Sequence, residues 1–123
     1  MNYYEFLNKT IEDGIISVKE TYKGPKNKDK LDGSLAGFEA CRNKLPEELF
    51  EIYNLTNEYV INSYKNGDTD NYWWFRHYQS QVEWICNVIS AILINQGQKP
   101  ILSHLPTARG VMKAGQVLGI QSI

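Results

Sequence analysis

The chain has 123 residues, enough for one domain spanning 1–123 and hardly for two. With 42% hydrophobic and 22% charged residues it has a globular composition, which excludes a disordered chain. The net charge of −1 excludes any global bias toward nucleic acid or membrane, so neither DNA nor a bilayer is an expected partner.

The charges are placed unevenly. Five lysines fall between Lys19 and Lys30, against Glu20 and Asp29. From Trp84 onward there is no acidic residue, while Lys99, His104, Arg109 and Lys113 follow. An acid-free, mildly basic segment suits an anionic ligand, or else lies buried where acids are scarce. The start, MNYYEFLNKTIED, has neither a basic n-region nor an apolar h-region, and Cys41 and Cys86 are isolated. A reducing, cytoplasmic setting is expected, with both thiols as small buried hydrophobes. The most apolar run, Trp84 to Ile94, is too short for a bilayer, which needs roughly 20 residues.

In chain order, Tyr3 to Asp13 reads as a short helix, with Tyr3, Leu7 and Ile11 on one face and Gly14 as its stop. Ile15 to Tyr22 is rich in β-branched residues and reads as a strand. The Gly/Pro/Asn/Asp-rich KGPKNKDKLDG reads as a loop, and Ser34 to Cys41 as a returning strand. Pro46, Glu47 and Glu48 then open a long helix carrying Leu49, Ile52, Tyr53, Thr56, Tyr59, Val60 and Tyr64, ending near Asn66-Gly67. Asp70 is expected to cap the next helix, which runs to about Gln96.

That last helix is apolar on two faces. Trp74, Tyr78, Gln81, Ile85, Val88 and Ile92 follow one, and Phe75, Val82, Cys86, Ile89 and Leu93 the other. Such a helix is central in a core or covered by another subunit, so a homo-oligomer is expected. Between the faces, Arg76, Ser80, Glu83, Asn87 and Ser90 fall on one line, either a solvated stripe or a groove wall. Ile101 to Leu105 reads as an edge strand. Thr107 caps a final helix with Val111, Ala114, Val117 and Leu118 on its buried side. The expected fold class is therefore α+β: a small N-terminal antiparallel hairpin or sheet, two long helices and a short C-terminal helix.

No phosphate loop, dinucleotide fingerprint or zinc pattern is present, and no cofactor is expected. His77 and His104 lack a neighbouring nucleophile motif. Glu47, Glu48, Glu51 and Glu83 leave a metal-dependent nucleotide hydrolase open, although a helix-start charge bias and a solvated face explain them better. Pro106-Thr107-Ala108-Arg109-Gly110 is the best anion site. A helix start offers unpaired N–H groups, Thr107 a hydroxyl, Gly110 room and Arg109 a bidentate fork. The run Tyr72 to Tyr78 adds aromatic rings around Arg76 and His77, suited to nucleobases, to the core or to a partner protein.

In YWWFRHYQSQVEW, PTARGVMKA and GFEACR the chain resembles the first-described Thoeris anti-defence family of bacteriophages and prophages, over roughly Ile15 to the C-terminus. The resemblance implies a non-enzymatic sponge in the cytoplasm of an infected host cell. It would bind glyco-cyclic ADP-ribose isomers intact and keep an NAD-depleting effector off. It also implies a dimer or a trimer of dimers, and in some members separate sites for cyclic trinucleotides. Carried onto this chain, Arg109, Thr107 and Gly110 would hold the pyrophosphate. Trp74, Phe75, Arg76 and Tyr78 would shape the base pocket, and Glu83 and Asn87 would bind ribose hydroxyls. Lys19, Gly24, Lys26 and Arg42 would form the second site. A protein-binding inhibitor module remains a further alternative.

Overall fold

The structure is a computed structural model that describes residues 2–97. Four α-helices follow one another: α1 (Tyr3–Thr21), α2 (Lys28–Ala40), α3 (Pro46–Lys65) and α4 (Thr69–Asn95), with a 3-10 turn at Pro25–Asn27 before α2. Among the described residues there is no strand, so the expected α+β class with an N-terminal hairpin is overturned. The predicted edge strand and final helix lie outside the described residues.

The correction has a physical reason in each half of the supposed hairpin. In α1 the buried residues are Leu7, Ile11, Ile15 and Val18, a 3.6-residue stripe that continues past Gly14. A strand would place Ile16 and Val18 on one face; instead Ile16 is 63% exposed while Val18 is buried. Gly14 does not stop the helix, because it is a notch for the next one: a Cβ there would stand 2.4 Å from Cζ of Phe38. Asn2 caps α1, its side chain accepting the Glu5 N–H at 2.8 Å.

In α2 the glycines that argue against regular structure face α4. A Cβ on Gly33 would lie 2.2 Å from the carbonyl oxygen of Trp74, and one on Gly37 2.6 Å from that of Tyr78. Both pairs are four residues apart, so one face of α2 lies directly on the α4 backbone. Helix propensity is lost at both glycines, roughly 1 kcal/mol each, and close packing offsets it.

The two long helices fall close to where the sequence puts them. α3 opens at Pro46, with the Glu48 carboxylate accepting the Leu45 N–H at 2.9 Å, and α3 gives way to Gly67 at φ +66°. The cap of α4 is Asp68 rather than Asp70, its carboxylate accepting the Asn71 N–H.

α4 touches all three other helices. Tyr64 meets Tyr72, Tyr59 stacks on Phe75 and Asn57 bonds Gln79, so α3 runs antiparallel to it. Phe6 packs near Val88 and Ala91 while Tyr22 meets His77, so α1 is antiparallel too. Both apolar faces of α4 thus find cover within the chain, and they no longer require a second copy. The core joins Leu7, Ile11, Phe38, Leu49, Val82, Ile85 and Ile89, all at most 2% exposed. Among the described residues no helix is long and apolar enough to cross a membrane.

Candidate functional site

The polar line along α4, beside α3, is half-buried at Arg76, Ser80 and Glu83 and buried at Asn87 and Ser90, and not a fully solvated stripe. Its first member, Arg76, is half-buried. Its guanidinium donates to Ser80 Oγ at 3.0 Å and reaches Gln79 Oε1 at 3.5 Å. Gln79 in turn donates to Asn57 Oδ1 at 2.8 Å, tying α4 to α3. Among the described residues no carboxylate lies within ion-pair distance of Arg76. A partly desolvated cation held only by neutral acceptors keeps most of its charge for another group.

Tyr53 sits between the two ends of this seam. Burial raises its phenol pKa most, the Glu83 carboxylate raises it further, and the Arg76 guanidinium opposes both. Glu83 is half-buried one heptad beyond Arg76. Asn87, 8% exposed, follows, and its Oδ1 is buried with no hydrogen-bond partner. An orphaned buried acceptor costs about 1–3 kcal/mol and calls for an explanation. Beside Arg76, Phe75 stacks on Tyr59 with ring centres 5.1 Å apart and planes inclined by 12°. The seam therefore offers a cation, a flat aromatic pair, a carboxylate and a lone amide oxygen in order.

The other expected ligand residues do not join it. Trp74 and Tyr78 stack on each other at 5.4 Å, and their backbone lies against α2. Tyr78 belongs to the core edge, where burial raises its pKa. Thr107, Arg109 and Gly110 lie outside the described residues. Of the proposed second site, Lys19 ends α1 while Gly24, at φ +91°, and Lys26 belong to the connection to α2. Arg42 stands apart from them, beyond the far end of α2. Its Nε donates to Glu39 at 2.6 Å and its Nη2 pairs with Glu12, which holds the Glu39 carboxyl below the usual range. Glu12 is seven residues from Lys19, about 10 Å along α1, so these four residues form no single site.

The lysine-rich connection and the aromatic run do meet elsewhere. Lys30 places its Nζ 5.5 Å from the centre of the Trp73 ring, and Tyr22 meets the His77 ring edge-on at 5.3 Å. The His77 Nδ1 is 2.9 Å from the Trp73 carbonyl oxygen.

Glu47 and Glu51 are exposed on the first turns of α3, and Glu48 is spent on capping. Among the described residues no three His, Cys, Asp or Glu side chains gather to hold a metal ion. Both thiols are buried and free; burial pushes Cys86 up to about 12 and Cys41 higher still, so neither is ionised near neutrality.

A groove was not anticipated from the sequence. It runs between α1 and α4, encloses about 520 Å³ and has Trp84 in its wall. The signal for it was available: Thr10, Asp13, Ser17 and Thr21 recur every three or four residues along one face of α1. Compared with known proteins, the chain matches no family model, no curated protein and no solved structure.

Proposed function

We propose that the protein binds and holds an anionic nucleotide of the glyco-cyclic ADP-ribose class without degrading it, as a sponge that denies the messenger to a Thoeris effector. The observation that carries this reading is Arg76, a half-buried cation with no carboxylate partner among the described residues, next to the Tyr59–Phe75 stack. A guanidinium fork suits a diphosphate, and a flat aromatic face suits a base. Glu83 and the free Asn87 oxygen, about two and three turns further on, suit ribose hydroxyls. Arg109, Thr107 and Gly110 are proposed as a second grip on the phosphates. A dimer or trimer of dimers in the host cytoplasm belongs to the same proposal.

Sequestration asks for affinity rather than chemistry. A nanomolar sponge needs about −12 kcal/mol, and a cyclic ligand loses little conformational freedom on binding. Calorimetry with glyco-cyclic ADP-ribose, followed by heat release and mass spectrometry, tests the reading. Stoichiometric binding with the ligand recovered intact is expected, and Arg76→Ala should weaken it by about 1.5–3 kcal/mol, the range for a bond to a charged group. Time-dependent product would favour a nucleotide hydrolase. Absence of heat, with a protein co-purifying from lysate, would favour an inhibitor module acting through exposed rings such as Trp73 and Tyr64.

A further inference from the structure

We infer that the groove between α1 and α4 is a separate binding site for a narrow organic cation, an alkyl or arylalkyl ammonium. It is independent of the nucleotide reading, since it shares no residue with the Arg76 seam.

Three features of the groove select this chemistry. The two threonines of its rim have committed their donors. Thr10 Oγ1 donates to the Phe6 carbonyl at 2.9 Å, Thr21 Oγ1 to that of Ser17 at 2.9 Å, and Gln81 Nε2 to Ser34 Oγ at 3.3 Å. What Thr10 and Thr21 still offer are lone pairs, which recognise N–H donors. Among the described residues the rim's only formal charge is the Asp13 carboxylate, tied at 3.2 Å to Lys9 in an exposed i,i+4 pair that a ligand ammonium can replace at little cost. The floor is apolar and aromatic: Val18, Phe38, Val88 and the Trp84 ring, whose negative face attracts a cation.

Size narrows the class further. The lining runs from Thr10 to Tyr22, about 18 Å of helix at 1.5 Å per residue, so about 520 Å³ leaves a cross-section of about 30 Å². An α-helix, about 10 Å across, does not fit. An extended alkyl chain or a single ring entering edge-first does. Gly14 lets the Phe38 ring reach the groove floor, because a Cβ there would stand 2.4 Å from its Cζ.

The test is a nitrogen–proton correlation NMR titration of the whole chain with n-octylammonium and, separately, with octanoate. The ammonium should shift the amides of Gly14 and Ser17 and the Trp84 indole, with saturation. Octanoate should bind about tenfold more weakly, and Asp13→Asn should weaken the ammonium about fivefold, as expected for one partly exposed charge-assisted bond. Asp13 is exposed, so that variant should keep its fold, and its unshifted peaks report whether it does. Equal affinity for the two probes, shifts spread over exposed apolar residues such as Ile16, or native affinity in Asp13→Asn would each overturn the inference.

Discussion

Two neighbours meet α4 in opposite ways. α2 lies on it backbone to backbone, through Gly33 over Trp74 and Gly37 over Tyr78, with no room for a methyl group. α1 approaches it through larger side chains, Val18 and Phe6 against Trp84 and Val88, and stands off far enough to leave the groove. The same central helix therefore has one face closed by the absence of side chains and another propped open by their presence. Side-chain size at a few facing positions decides where this molecule is solid and where it can take a ligand.

Phe38 belongs to both contacts, rising from α2 beside Gly37 to cover Gly14 and floor the groove. Phe38→Ala should therefore have the largest effect, a loss of about 3–5 kcal/mol in urea unfolding, as for other buried aromatic truncations. A loss below about 1 kcal/mol would mean that the ring is not shared. Next comes Gly33→Ala. Its methyl would run into the Trp74 carbonyl, an overpacking cost of about 3 kcal/mol, offset by about 1 kcal/mol of helix propensity. A net destabilisation of about 2 kcal/mol is expected. Gly14→Ala gains the same propensity but meets only a ring edge that can shift, so it should stay within about 1 kcal/mol of the wild type. Equal effects at Gly14 and Gly33 would erase the distinction between the two contacts.

A smaller effect separates the outer ends of α1 and α2. Arg42 holds the Glu39 carboxyl below its usual range. A lowered carboxyl pKa stabilises the fold above the unfolded value and ceases to do so as pH falls through the folded one. Arg42→Ala should therefore flatten the acid limb of the stability profile slightly below about pH 4.5, and leave stability at pH 9 lower by a similar small amount. Smallest of all, Ser17→Ala, at an exposed position on the open rim, should change stability by less than about 0.5 kcal/mol.

The long helices were legible because their signals agree at every level. Pro46, Glu47 and Glu48 open α3, Gly67 closes it, and the apolar spacing between is helical. The first forty residues misled because two signals disagreed. Ile15, Ile16 and Val18 favour a strand by composition, while Leu7, Ile11, Ile15 and Val18 keep helical spacing; burial of the spaced set decides. Gly33 and Gly37 resemble breakers when read locally. Their role depends on the α4 backbone forty-one residues away, which no local window contains. The candidate site was half readable. The line from Arg76 to Asn87 follows from periodicity, but its facing partners Tyr53, Asn57 and Tyr59, and the isolation of Arg76 from carboxylates among the described residues, arise only when α3 folds back.

All of this rests on α2 being a helix laid on α4 through its glycines. The most direct measurement is a proton NOE experiment on the glycine Hα protons. A Cβ built on Gly33 would be 3.1 Å from Cα of Trp74, and one on Gly37 3.1 Å from Cα of Tyr78, so strong Hα–Hα cross-peaks are expected for both pairs. If both are missing while Gly33 and Gly37 instead show cross-strand peaks to residues 15–22, the helical account is wrong.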